Sequence, residues 1–343
     1  MSEEKHNVNT FRDDVPRVGE SWDPEKYQPT GRKKFSYSKF HIDEVCNALQ
    51  TSIRRNIPEE SIQWVLELAR TDDRIKKSCW KKLLTSALED IGPSSPRAVL
   101  NVWNLYKKSI NKNYDEMEAL ASAAEMLSME PKSRLNINAY EYTCRFYGKD
   151  RIVVTPAETL LENLKRNLVE KNCYKAIIDC HELFQTKEKV SNKLAYRQAW
   201  KVLIDVCGEY AQALSEIALS KNWKNIYMKT RLLHIHIIHL WCYGKVPFRN
   251  NIDCKITELS KEYNKKHKNR ENLIGMPDYA ICNLTEQGRE ICRTIMFYYQ
   301  YTTQLLKENE EWRELSDDYL NKTNRFYLIA KNDGELELKI QDK

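Results

Sequence analysis

The sequence predicts an all-α protein: a multi-helix bundle of two related helical units, with an extended N-terminal arm before it and a small C-terminal β-hairpin after it. Nine Gly and ten Pro among 343 residues are about half the roughly 12% of average usage, which leaves little material for the turns of an all-β chain. Apolar residues recur at spacings of three and four from His41 onward, the period of one helix face. Residues 49–71 also echo residues 164–186 at an offset of 115. Glu67-Leu68 falls on Glu182-Leu183 and Thr71 on Thr186, and Trp80-Lys-Lys-Leu-Leu84 resembles Trp200-Lys-Val-Leu-Ile204 a little further on. An ordered echo of that length is what two related units would leave.

Residues 1–40 hold Pro16, Pro24, Pro29 and Gly31 with no apolar period, and read as an extended arm whose anchors are the scattered aromatics Trp22, Tyr27 and Phe35. The first helical unit is expected over 41–148. Its apolar sets are Val45, Leu49 and Ile53, then Ile62, Val65, Leu66 and Ala69, then Ile75, Trp80, Leu83, Leu84, Ala87 and Leu88. Trp64, Trp80, Leu84 and Ile91 are expected core. Ser95-Pro96 reads as an N-cap with proline at the first helical position, and Thr155-Pro156-Ala157-Glu158 as a capping box with the same placement. Further helices are expected near 115–128, 134–147, 156–171, 173–186, 190–220, 223–243, 254–267 and 286–312, the second unit spanning 149–322. In the tail, 323–343, two runs flank Lys331-Asn332-Asp333-Gly334, and Leu336, Leu338 and Ile340 alternate, a hairpin signal. A lone hairpin is marginal in water, so this one is expected to pack on the helices or to pair with a second copy.

Spacing excludes several chemistries. No two glycines lie closer than 12 residues, so neither a Walker nor a Rossmann phosphate loop can be written, and the nucleophile elbow fails likewise. No two of the ten Cys lie closer than seven residues, so there is no CxxC knuckle for zinc. Cofactors and metals are therefore not expected, nor is a small-molecule substrate. The best stretch without formal charge, 232–244, has 13 residues and three His, against about 20 for a spanning helix. With a polar, acidic beginning and thiols read as reduced, a soluble intracellular protein of cytoplasm, nucleus or virion is expected.

A family resemblance appears at this point. Ala48-Leu49, Ser52-Ile53-Arg54, Trp64, the run through Glu89-Asp90-Ile91-Gly92 with Pro96, Glu118-Ala119 and Pro131-Lys132-Ser133 resemble the helical C-terminal region of the MgsA/RarA (Werner-helicase-interacting) AAA+ ATPases. The resemblance covers roughly residues 41–143. In that family the region carries lid and tetramer-forming helices, which implies self-association here. The ATPase module is absent, so no nucleotide chemistry carries over. Glu89-Asp90 are expected to close a helix before Gly92 rather than act on a substrate, because neighbouring side chains on a helix diverge by about 100°. Downstream, Pro277-Asp278-Tyr279 and Thr285-Glu-Gln-Gly288-Arg289 faintly resemble a stretch of stand-alone viral and protist relatives, but Cys282 and Leu284 replace its acidic and His positions.

Three further constellations remain. His234, His236 and His239 lie in a helical context, where 236 and 239 can share a face but no nearby Cys or carboxylate completes a metal site; they are expected to be buried and hydrogen-bonded, with pKa values near neutrality that could sense pH. Residues 221–270 carry twelve Lys/Arg against three acids, and residues 307–343 carry seven against ten. The densest basic patch, Lys261, Lys265, Lys266, Lys268 and Arg270, would meet either DNA or the acidic tail of another subunit. Nineteen Tyr and eight Trp suit interfaces between copies. The functional expectation is a non-enzymatic, self-associating helical scaffold or structural protein, and frequent Lys, Asn, Ile and Tyr, the usage of an AT-rich genome, fit a viral structural or assembly component. The alternative is a DNA-binding accessory of replication or repair.

Overall fold

The computed structural model describes residues 35–146, 155–185, 189–220, 229–247, 254–271, 274–281, 285, 287, 305, 308–322, 327–330 and 336–339. They are mainly helical. Helix α1 (Ile42–Arg54) has Asp43 and Glu44 in its first turn and Arg54 in its last, signs that suit the helix dipole. It ends on Asn56, held at φ 58°, so that the Asn56 and Ile57 amides donate back to Ile53 O at 3.3 Å and Ser52 O at 3.0 Å, the double bond of a Schellman end. Pro58 then opens α2 (Pro58–Ala69) at a position where its missing N–H costs nothing. In α3 (Asp73–Ser86) the N-cap Asp72 accepts from the Ile75 amide at 2.7 Å. Trp64, Trp80, Leu84 and Ile91 are all buried, as their spacing predicts.

From Ser86 the chain widens into a π-turn, Ala87–Ile91, and Gly92, at φ 52°, turns it away. Pro93 follows in a 3-10 turn rather than a helix. The expected helix start at Ser95-Pro96 is corrected: α4 (Ala98–Ile110) begins two residues later with Arg97 as an uncapped start, because Ser95 to Ala98 close as a turn, the Ala98 amide on Ser95 O at 3.0 Å, and the helical ladder opens with the Asn101 amide on Arg97 O at 2.9 Å. Helix α5 (Glu116–Met129), capped by Asp115, packs between α1, α2 and α4, and α6 (Leu135–Phe146) leaves for the other half.

Helices α7 (Ala157–Val169) and α8 (Cys173–Gln185) each begin 115 residues after α1 and α2. Lys171 is at φ 58°, and the Lys171 and Asn172 amides return to Leu168 O and Asn167 O at 3.3 and 2.8 Å. Asn56 and Lys171 each reach a carbonyl near the end of a later helix. Asn56 Nδ2 donates to Ser128 O of α5 at 2.6 Å, and Lys171 Nζ to Trp241 O of α11 (Lys229–Cys242) at 2.7 Å. The capping box expected at 155–158 is corrected: α7 starts at the expected place, but Pro156 is the N-cap and no side chain caps it. The single helix expected over 190–220 is two, α9 (Lys189–Cys207) and α10 (Glu209–Leu219), separated by Gly208 at φ 77°. Trp200, like Trp80, is buried.

Helix α12 (Glu258–Asn269) lies over α2 and α5, and α13 (Glu310–Lys322) lies along α6. Most of the helix expected over 286–312 lies outside the described residues. So does the turn of the expected hairpin, residues 331–334. No helix among the described residues is long and apolar enough to cross a membrane.

Candidate functional site

Most of the residues singled out by the resemblance converge on the π-turn. Arg54 Nε pairs with Asp90 Oδ1 at 2.7 Å, and both side chains are buried. Gln50 Nε2 donates to Glu89 Oε2 and Asp90 Oδ2, each at 3.2 Å. The Asp90 carbonyl accepts from the Ser133 amide at 2.8 Å, and Ser94 Oγ donates to Lys132 O at 3.0 Å. The Lys132 ammonium is fully buried and is received by the Leu127 and Ser128 carbonyls at 3.1 and 2.9 Å and by that of Glu130. It therefore closes the C-terminal end of α5, where carbonyls lack helical partners. Trp64 is core, its indole meeting Phe40 edge-on at 5.7 Å.

The histidines continue this web from the other half. Asn136, at the start of α6, donates from Nδ2 to Leu88 O at 3.0 Å and to His236 Nδ1 at 3.2 Å, while its Oδ1 receives His239 Nδ1–H at 3.0 Å. His236 Nε2 is 3.1 Å from the Tyr210 hydroxyl, which donates to Pro96 O. One proton scheme satisfies every bond: His236 carries its proton on Nε2 and His239 on Nδ1, both neutral. His234 packs its ring edge-on against Phe184 at 4.7 Å. The expectation of near-neutral pKa values is corrected. Complete burial drives His236 down to about 4, and burial together with the neighbouring His236 drives His239 to about 3. Neither senses pH near neutrality in the folded protein.

A second buried node ties α12 to the first half. Glu67 receives Ser36 Oγ at 2.5 Å, Ser38 Oγ at 2.8 Å and the Ser38 amide, and faces His267 Nε2 at 3.1 Å. Burial raises the Glu67 carboxyl, but the bond and charge of His267 with the Ser36 and Ser38 bonds prevail and hold it below its ordinary value. Arg70 adds bonds to Asn264 O and Oδ1 at 2.9 and 2.5 Å. The N-cap of α12 is fixed by Glu125, which accepts from the Thr257 hydroxyl and, at 2.7 Å, from Ser260 Oγ.

The basic patch is the outer face of this docked helix. Lys261 pairs with Glu258 at 2.7 Å and Lys266 with Glu262 at 2.5 Å, Lys265 and Lys268 are exposed, and Arg270 lies over the Tyr37 ring at 4.8 Å. Trp22 and Tyr27 lie outside the described residues. Phe35 bridges to His41, their rings 4.6 Å apart. Of the described residues, His41, Asp43 and Glu44 bring metal-capable donor atoms within 4.8 Å of one another, but each is already engaged in the fold.

Sequence reasoning missed Asn136, Tyr210 and His267, and took Glu67 only as part of the echo between residues 49–71 and 164–186. The first two carry no local signal, and His267 is masked by its basic neighbours. No family model, curated protein or solved structure matches this chain.

Proposed function

We propose that this protein is a non-enzymatic, self-associating helical scaffold, with a first unit over 41–148 related to the oligomerisation region of the MgsA/RarA ATPases and a second over 149–322 derived from it by duplication. One observation carries the reading. The polar residues that the resemblance singles out, Arg54, Asp90, Lys132 and Ser133, are consumed in holding helices together and are turned inward. Their chemistry is structural, as a lid region without its motor would need. The shared Schellman ends at Asn56 and Lys171, and their matching clamps on α5 and α11, support the duplication. Association would run through the arm, 1–40, and the tail, 323–343, in the manner of exchanged segments, and a viral assembly is the setting we favour. Sizing of the full chain and of a chain lacking residues 1–40 tests this. A multimer that shrinks on truncation supports it, and a monomer in both cases rejects it.

The exposed ammonium groups of Lys265 and Lys268 favour a second reading, an accessory protein that binds DNA along α12. Lys261 and Lys266, already paired within the helix, would contribute less. A salt-dependent gel shift abolished by Lys265→Glu with Lys268→Glu supports that reading, and unchanged mobility at low salt removes it.

A further inference from the structure

Residues 254–281 follow α11 of the second half in the chain, yet they are bonded to the first half from end to end. At their start the Cys254 carbonyl accepts from Lys108 Nζ and from the Tyr114 hydroxyl, each at 3.1 Å. In their middle α12 packs on α2 and α5, held by Glu125, Glu67 and Arg70. At their end residues 274–281 lie against α1 and α2 as a separate peptide would. Gln63 of α2 reads the main chain of Ile274 twice, Nε2 donating to its carbonyl and Oε1 accepting from its amide, both at 2.8 Å. Asn47 of α1 donates to Ala280 O at 2.6 Å. Between these two carboxamides Met276 and Pro277 are buried, and the Tyr279 hydroxyl donates to Glu60 while the Arg55 guanidinium carbon lies 4.6 Å from the centre of its ring. When a groove takes a peptide, main-chain bonds of this kind supply affinity and side-chain seats supply specificity.

We propose that residues 254–281 are an exchanged clasp: the clasp of one chain closes on α1, α2 and α5 of a second copy, which returns its own. The inference rests on the scaffold reading and names the surface by which one chain holds the other. None of the bonds above depends on which chain supplies the clasp, so exchange keeps every one of them and is a low-cost route to a closed dimer. The connections are long enough. The 11 residues 243–253 can reach about 36–40 Å when extended, and the 26 residues 282–307 reach further. The arm takes part in the same closure. Ser36 and Ser38, at its end, share the Glu67 carboxylate with His267 of the clasp, so a chain lacking residues 1–40 loses part of the seat on which the clasp of its partner closes.

The test treats the full, unaltered chain with a lysine-reactive cross-linker, separates the products on a denaturing gel and maps the linked peptides of the monomer and dimer bands by mass spectrometry. Two pairs report the clasp. Lys108 should link to Lys255, the neighbour of the Cys254 carbonyl that it holds, and Lys39 to Lys266 or Lys268, which flank His267 where Ser38 and His267 meet on Glu67. Both pairs are expected in the dimer band and absent from the monomer band. Either pair in the monomer band, or both missing from both bands, overturns the proposal. Light scattering on the same sample tells its failure from that of the scaffold reading: links within one chain in a protein heavier than 40.6 kDa overturn the clasp exchange alone, and a mass of 40.6 kDa overturns both. Asn47→Ala with Gln63→Ala removes three bonds to the clasp main chain and should weaken dimerisation on the order of tenfold to a hundredfold. An unchanged dissociation constant overturns the proposal, and the cross-link map of the unaltered chain decides even if that variant misfolds.

Discussion

Gly92 and Ser133 are so close that a β-carbon on Gly92 would stand 3.2 Å from the Ser133 carbonyl oxygen. The approach lets the Ser133 amide reach Asp90 O at 2.8 Å and seats Asn136 over the π-turn. Gly208 also has a positive φ, but nothing lies within 4 Å of its β-carbon position. Gly92→Ala therefore combines left-handed strain with a clash and should cost roughly 2–4 kcal/mol, whereas Gly208→Ala carries the strain alone, about 1–2 kcal/mol. Urea midpoints of the two variants check the order, and equal losses would refute it.

The Arg54–Asp90 pair lies wholly inside. Asp90→Leu strands a buried guanidinium and should cost about 3–5 kcal/mol, while Arg54→Met with Asp90→Leu should recover much of that loss. A double-mutant cycle by denaturant unfolding measures the coupling. Additive losses would mean that the two charges act separately.

The histidines set an acid-side weakness. Their folded pKa values, about 4 for His236 and about 3 for His239, lie below the unfolded value of about 6.5. Between those limits the unfolded chain binds more protons. Their contribution is therefore complete above about pH 6.5 and lost as pH falls toward 4. Asp179 works the other way. Burial lifts its carboxyl to about 6, so stability from this group falls as pH rises from about 4 to 6. His239→Gln, which keeps a donor for Asn136, should flatten the loss of stability between pH 6.5 and 4.5, and Asp179→Asn should steepen it. Chemical denaturation across that range reads both slopes.

Helix α12 depends on Glu67 and His267. Glu67→Ala removes the acceptor shared by Ser36, Ser38 and His267 and leaves the α12 end of that contact without its anchor. Amide hydrogen exchange should accelerate in α12 and in 35–41, with α11 unchanged. Equal acceleration in both halves would place the effect on global stability instead.

Much of the helical order is legible in the sequence because each helix buries a stripe of apolar residues. The ends are harder to read. Helices stop at Asn56, Lys112, Lys171 and Arg270, all at positive φ, where a glycine would ordinarily give the signal, and this chain has few glycines. Gly208 was hidden in the opposite sense: apolar spacing runs on through it, so α9 and α10 read as one. Arg54, Asp90 and Lys132 lie far apart in the sequence, and their burial came only with the fold. The histidines looked tunable because their partner, Asn136, lies about 100 residues away in sequence, and no local pattern reports the dielectric that a distant helix imposes.

The scaffold reading stands or falls on whether one chain holds another. Light scattering on the full chain at several concentrations measures it most directly: the account predicts a molar mass that is a whole multiple of 40.6 kDa, and a mass of 40.6 kDa at every concentration would contradict it.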